Sequence, residues 1–354
     1  MNRASSARRH KRIMLWTFLI VLVGVVVMPL TGYLYVNVVQ AEAATAQKDN
    51  PHANFWRAVR DGDQGYTAAS GPYTTDTFIN NGGQNYRSLR NGPIASIGPW
   101  VLAGVLALIF LFFLIRGKTR IEAPQSGRML ERWSGGERLI HWYTAILFII
   151  LAITGLSLLF GRAVLVPVLG LPGFAAYAAF AKVVHNWGGP LFMVGVILEF
   201  FAWVRYNTFK AYDWDWLKKG GGMFKRGLHP HAGRANAGEK IWFWFIATFG
   251  LLGVCISGLV LDFPNFGQSR EVMQIAALVH ASFALLWVAV SFGHIYLGSI
   301  GVEGAFKGMA TGKVSEEWMR QHHDLWLKEM QKGQGKAPAA GAPAAGKTSP
   351  GPAS

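Results

Sequence analysis

The sequence predicts an all-α, polytopic membrane protein, and three observations predict it. Hydrophobic residues make up 51% of the chain and charged residues only 15%, and most of the apolar content falls in blocks of about 18 residues or more, long enough to cross a bilayer as helices. The Lys and Arg gather in a few segments between those blocks, as the positive-inside rule arranges them. Four histidines, His141, His185, His280 and His294, sit inside or at the lips of blocks that otherwise carry almost no ionisable residue. An imidazole at that depth is costly to solvate, so it is paired, liganded or turned to a cavity.

The same observations exclude several classes. A formal net charge of +15 does not mark a nucleic-acid binder here, because membrane orientation accounts for where the cations lie. The single cysteine, Cys255, lies within an apolar block without a Cys or His at metal-ligand spacing, and reads as inert packing. With neither CxxCH nor a cysteine cluster, covalent c-type haem and iron–sulfur centres are excluded. No GxGxxG or P-loop follows a strand pattern, so nucleotide chemistry has no support.

Residues 1–36 open with Arg3, Arg8, Arg9, Lys11 and Arg12 and continue into an apolar block from Met14 to Val36. They read as a retained signal anchor or as a signal peptide, the small residues of AEAATA at Ala41 to Ala46 offering cleavage sites. Either way the basic end is cytoplasmic and the following segment exported. Residues 37–99 are rich in Gly, Asn and Ser with scattered aromatics such as Trp56, Tyr66, Tyr73 and Tyr86. They are expected to be a mostly irregular extracytoplasmic segment, either lying against a partner protein or solvated. Within it NNGGQNYRSLRNGP, Asn80 to Pro93, reads as a turn-rich docking strip.

Residues 100–116 form the next expected span, closed by the basic RGKTR, and residues 117–131 a cytoplasmic linker. Four further spans follow, at about Leu139 to Phe160, Val183 to Val204, Ile241 to Leu261 and Ile275 to Ile300. The stretch Tyr206 to Lys240, with Lys218, Lys219, Lys225, Arg226 and Arg234, separates the second and third of these and falls on the cytoplasmic side. Residues 301–354 read as a cytoplasmic amphipathic helix, Glu316 to Met330, and a disordered Ala, Pro, Gly and Lys tail. His322 and His323 are expected to be solvated helix residues without a ligand role.

Topology sorts the four histidines by depth. His141 begins its helix near the cytoplasmic face, and His185 lies near the outer face because its helix runs back from outside. His280 and His294, 14 residues apart on the last span, are separated by about 21 Å along the axis and project from similar sides. The pairs of equal depth are His185 with His280, and His141 with His294. Neutral histidine is an axial haem ligand, and two imidazoles saturate the iron, which suits electron transfer. Gly155, Gly188, Gly189, Gly195 and Gly293 offer room for a flat macrocycle, although small residues also serve ordinary helix packing.

Four stretches carry a resemblance. GGERLIHW (Gly135 to Trp142), VVHNWGGPLF (Val183 to Phe192), RANAGEKIWFW (Arg234 to Trp244) and ALVHASFALLWVAVSFGHIYLG (Ala277 to Gly298) resemble the cytochrome b (gamma) subunit of membrane-bound respiratory formate dehydrogenase, over roughly Arg132 to Lys328. The resemblance implies a four-helix di-haem cytochrome b bundle over residues 132–300, with one or two extra N-terminal transmembrane helices. It implies two haem b groups held by the four histidines. It also implies an iron–sulfur (beta) subunit and a molybdenum or tungsten catalytic (alpha) subunit as partners, with quinone as electron acceptor. The setting it implies is the bacterial inner membrane, with both termini cytoplasmic if the first helix is retained. The family's quinone pocket uses Asn-Ala-Gly-Gln; here the positions are Asn236, Ala237, Gly238 and Glu239, so the last departs. The same NAGEK also reads as a plain helix start, with Asn as N-cap and Glu in the first turn. Alternatives are the cytochrome b subunit of a nickel–iron hydrogenase or of a thiosulfate or polysulfide reductase, and a haem-free anchor or proton-relay transporter.

Overall fold

The computed structural model describes residues 57, 66–71, 74–77, 81–264 and 266–334. The first apolar block, the cleavage sites and the tail beyond residue 334 lie outside the described residues. Among the described residues five helical spans are long and apolar enough to cross a membrane: Gly83–Arg116, Gly135–Val164, Val166–Tyr206, Ala237–Asp262 and Arg270–Gly301. The protein is a multi-pass, all-α membrane protein. Leu108, Ile115, Leu139 and Phe201 turn 67–71% of their surface outward, an apolar belt suited to acyl chains.

The described chain begins with an antiparallel hairpin, β1 (Tyr66–Gly71) and β2 (Thr74–Thr77). Helix α1 (Asn81–Leu89) follows and runs through a widened turn, Arg90–Ile94, into α2 (Ala95–Arg116). The expected docking strip is therefore helical, and the boundary expected at residue 99 falls inside a helix. Gly and Asn are weak helix formers, but packing of α1 against the last span overrides them. The kink survives at Gly92, whose φ of −81° and ψ of −105° reflect the clash that keeps a residue before proline, here Pro93, out of the helical region.

Helix α3 (Gly135–Val164) has a capping box. Ser134 Oγ accepts from the Glu137 amide at 3.3 Å, and Glu137 Oε2 accepts from the Ser134 amide at 2.9 Å, pairing donors that a helix start leaves unpaired. Helix α4 (Val166–Trp203) breaks at Gly170, whose φ of 68° is strained for any residue with a side chain. Past the break α4 packs along α3 as the most extensive helix pair among the described residues.

After a short helix α5 (Ala211–Lys218), the next span comprises α6 (Ala237–Phe245), a π-helical stretch Ile246–Cys255, and α7 (Ile256–Asp262). The last span, α8 (Arg270–Tyr296), is capped by Ser269, which accepts from the Val272 amide at 3.3 Å. Leu102 of α2 meets Leu285, Val288 and Ala289 of α8 in one buried cluster. Phe192, Val196, Cys255 and Trp287 form another, at the centre of the bundle. Cys255 is buried there as a free thiol, a packing residue.

The expected linker and the C-terminal stretch fold together. Strand β3 (Met129–Glu131) pairs antiparallel with β4 (Lys313–Ser315), which follows helix α9 (Ala305–Thr311). Helices α10 (Glu316–His322) and α11 (Asp324–Gln334) then bury Trp318, Met319 and Leu327 against Ile121 and Leu130. This small unit closes one end of the bundle.

Candidate haem sites and quinone pocket

Helices α4 and α8 bring His185 and His280 together with ring centroids 6.1 Å apart and planes at 83°. Thr154 Oγ1 donates its proton to the Ile150 carbonyl at 2.8 Å, so towards His185 it accepts, from Nδ1–H at 2.9 Å. His280 Nδ1–H donates to the Val254 carbonyl at 2.9 Å, with Ser257 Oγ at 3.3 Å. That carbonyl belongs to the π-helical stretch, where the widened ladder leaves backbone acceptors free and which recurs at functional sites. Both bonds fix the proton on Nδ1 and leave Nε2 as a lone-pair donor, the arrangement of a metal-ligating histidine with a supporting partner.

At the other end of α8, His294 meets His141 of α3 at a centroid separation of 6.3 Å and an angle of 48°. His294 lies flat on Trp242, 4.8 Å away at 14°. His141 Nδ1 is buried without a hydrogen-bond partner among the described residues. Two imidazoles sharing one metal, each at about 2 Å, have centroids roughly 6 Å apart. Both pairs fit that span.

Glycines clear the outer rings. A Cβ on Gly155 would lie 3.0 Å from His185 Cε1, and one on Gly258 would lie 3.1 Å from His280 Cε1. Gly189 and Gly293 have nothing within 4 Å of such a Cβ, which leaves open space beside the helices. Gly188 and Gly195 instead let α3 and α4 approach: their Cβ atoms would meet Leu151 at 3.2 Å and Thr144 Oγ1 at 2.5 Å. Sequence reasoning missed Gly258, Thr154, Ser257 and the Val254 carbonyl. Thr154–Gly155 and Ser257–Gly258 share a hydroxyl-then-glycine pattern, the signal that could have found them.

Asn236, Gly238 and Glu239 lie at the start of α6. Asn236 Oδ1 accepts from the Glu239 amide at 3.0 Å and Glu239 Oε2 from the Asn236 amide at 3.0 Å, a capping box. Glu239 Oε1 also pairs with Arg132 Nη2 at 2.5 Å, while the Arg132 guanidinium lies over Trp318 at 4.5 Å. A Cβ on Gly238 would lie 3.0 Å from Trp216 Cη2. Glu239 and Trp242 are three residues apart on one helix face, and Trp242 stacks on His294. A polar rim thus leads from Asn236 and Glu239 to the inner histidine pair.

His323 departs from expectation. It is 1% exposed, and its Nδ1–H donates to the Gly233 carbonyl at 2.8 Å. Helix α10 ends at His322, and the clustering of Trp318, Met319 and Leu327 carries the next residue inward. Burial, and next the Arg132 charge, hold the His323 ring down from 6.5 to about 4; burial takes His322 to about 3. The undocked segment therefore takes up a proton below pH 6.5 that the docked one refuses until about pH 4. Docking of residues 313–334 is expected to be complete above pH 6.5 and to weaken as the pH falls towards 4. Amide exchange in this segment, measured across that range, checks it.

A match to the description "Prokaryotic cytochrome b561" covers residues 132–312, the stretch that carries all four histidines. The chain belongs to the prokaryotic cytochrome b561 family. Membership in a cytochrome b family implies haem b. Similar proteins include the nitrate-inducible formate dehydrogenase cytochrome b556(Fdn) subunit of Escherichia coli K12, 28% identical over 214 residues, covering 59% of this chain and 95% of that one. The formate dehydrogenase cytochrome b556(fdo) subunit of the same strain is 29% identical over 206 residues, 57% and 94% of the two chains. The Haemophilus influenzae formate dehydrogenase cytochrome b556 subunit is 26% identical over 216 residues, 60% and 87%. The resemblance drawn from the four quoted stretches is borne out by these relatives.

Proposed function

We propose that this cytochrome b561 protein is the haem b membrane subunit of a respiratory formate dehydrogenase, carrying electrons from an iron–sulfur subunit to quinone. The observation that carries the reading is the placement of two facing histidine pairs, 6.1 and 6.3 Å between centroids, at opposite ends of one helix. His185 with His280, and His141 with His294, would hold the two groups. Bound there, b haem would supply one-electron transfer. Thr154 and the Val254 carbonyl orient the outer imidazoles, and the glycines beside them keep the rings free to turn inward. Asn236, Gly238 and Glu239 form the quinone pocket, with the His294 and Trp242 stack as its inner wall.

Orientation follows from charge. Arg116 donates to the Met223 carbonyl at 2.6 Å, Arg132 pairs with Glu239 at 2.5 Å and Arg234 with Glu137 at 2.6 Å. These cations gather at the end that holds His141 and His294, which supports reading it as the cytoplasmic side of the bacterial inner membrane. The iron–sulfur subunit and the molybdenum or tungsten catalytic subunit then meet the outer end.

A tag on this chain used to isolate the complex from membranes tests the reading. The preparation is expected to show b-type absorption that formate reduces and added quinone re-oxidises. A b-type band reduced by dithionite, indifferent to formate and answering to hydrogen or a sulfur oxyanion instead, would move the chain to another respiratory complex.

A further inference from the structure

Glu199 is a carboxyl group inside an apolar span. It lies on α4 and is 8% exposed, where an acidic side chain marks a proton or ion pathway by default. Among the described residues no salt bridge includes it; Arg132 pairs with Glu239, Arg234 with Glu137 and Lys240 with Asp213. Its polar neighbour is the Thr144 hydroxyl of α3. That hydroxyl gives its own proton to the Ile140 carbonyl at 2.9 Å, so towards Glu199 it only accepts. Only a protonated Glu199 could donate to it. Gly195, one turn back on α4, permits this close approach.

Polar groups flank Glu199 on both sides. Trp203, one turn further along α4, donates Nε1–H to Glu137 Oε1 at 3.2 Å, and Glu137 pairs with Arg234 at 2.6 Å, at the end assigned to the cytoplasm. In the other direction Thr144 shares a face of α3 with His141, three residues away. Glu199 therefore stands between a half-buried acid at the membrane edge and the inner histidine pair.

We propose that Glu199 is a proton-relay group that supplies cytoplasmic protons to the quinone reduced at the inner site; this rests on reading that pocket as a quinone site. Quinone takes two electrons, delivered from the partner's iron–sulfur centres, and two protons, and becomes quinol. For each proton relayed, the Glu199 O–H bond breaks as a quinol O–H bond forms, and the carboxylate is re-protonated from cytoplasmic water.

The test uses the intact complex and Glu199→Gln, which keeps shape and removes the exchangeable acid, with Glu199→Asp as a second variant that keeps the acid should the first not assemble. Infrared difference spectra between oxidised and quinol-reduced complex should show a carboxylic-acid carbonyl band that shifts in D2O and is absent from Glu199→Gln. Quinone reduction in that variant should slow about 100-fold, with formate still reducing the b-type bands fully. In Glu199→Asp the band should move in frequency but persist. Quinone reduction at the wild-type rate in Glu199→Gln, or a band that neither variant alters, overturns the inference alone. A wild-type complex that reduces no quinone overturns the quinone reading together with it.

Discussion

Substituting His280 with alanine should remove one b haem and leave the other in place, halving the b-type absorbance per purified chain. His280 and His185 face each other 6.1 Å apart, and no other described histidine shares their end of the bundle. A group held by one axial imidazole loses the saturated coordination on which its retention depends, whereas His141 and His294 keep both. The four residues fall into two independent sites, so substitutions at the two ends should add. Gly155→Leu offers a route that spares every ligand. Its Cβ alone would lie 3.0 Å from His185 Cε1, and a branched side chain there displaces the ring and empties the same site. Haem quantified against protein in each variant checks both substitutions. Loss of all haem, or of none, from His280→Ala would show that the pairs are not those described.

Breaking the Lys240–Asp213 pair should produce the largest stability loss available from a single substitution at the end of the bundle that holds His141 and His294. Their side chains are 2% and 1% exposed, and Lys240 Nζ lies 2.6 Å from Asp213 Oδ2. The same oxygen accepts from the Lys210 amide at 2.6 Å, and Oδ1 has no hydrogen-bond partner. Lys240→Met leaves a buried carboxylate with only that amide to satisfy it, at a cost of about 3–5 kcal/mol. Removing both charges, in Lys240→Met with Asp213→Leu, should recover most of the loss, since an apolar pair of similar volume replaces a desolvated ion pair at little cost. Thermal unfolding of the two variants in detergent separates the outcomes. Equal destabilisation by the single and the double variant would mean that the ion pair is not the source.

Much of this was legible because the membrane simplifies the code. The spans announce themselves by length and apolarity, and an imidazole in such a span has few innocent roles. Depth then follows from counting residues along helices of fixed rise. What stayed hidden depends on contacts between segments far apart in sequence. The helix Asn81–Leu89 has weak propensity and forms because α8 supplies a surface for it. His323 looked solvated because amphipathic periodicity cannot show that the expected linker, through β3, returns to cover α10. Glu239 carried two readings, pocket residue and helix cap. Its capping bonds and its pairing with Arg132 bear out the cap; the pocket role remains part of the proposed function. Lys240 beside Glu239 gave no hint in sequence that it would be buried on Asp213, because the charges come from separate helices.

The measurement that bears most directly on the account is the amount of b-type haem per chain of the purified wild-type protein, taken from its reduced-minus-oxidised spectrum and from total iron. Two facing histidine pairs at opposite ends of α8 predict two low-spin b haems per chain. One haem per chain, or none, would contradict it.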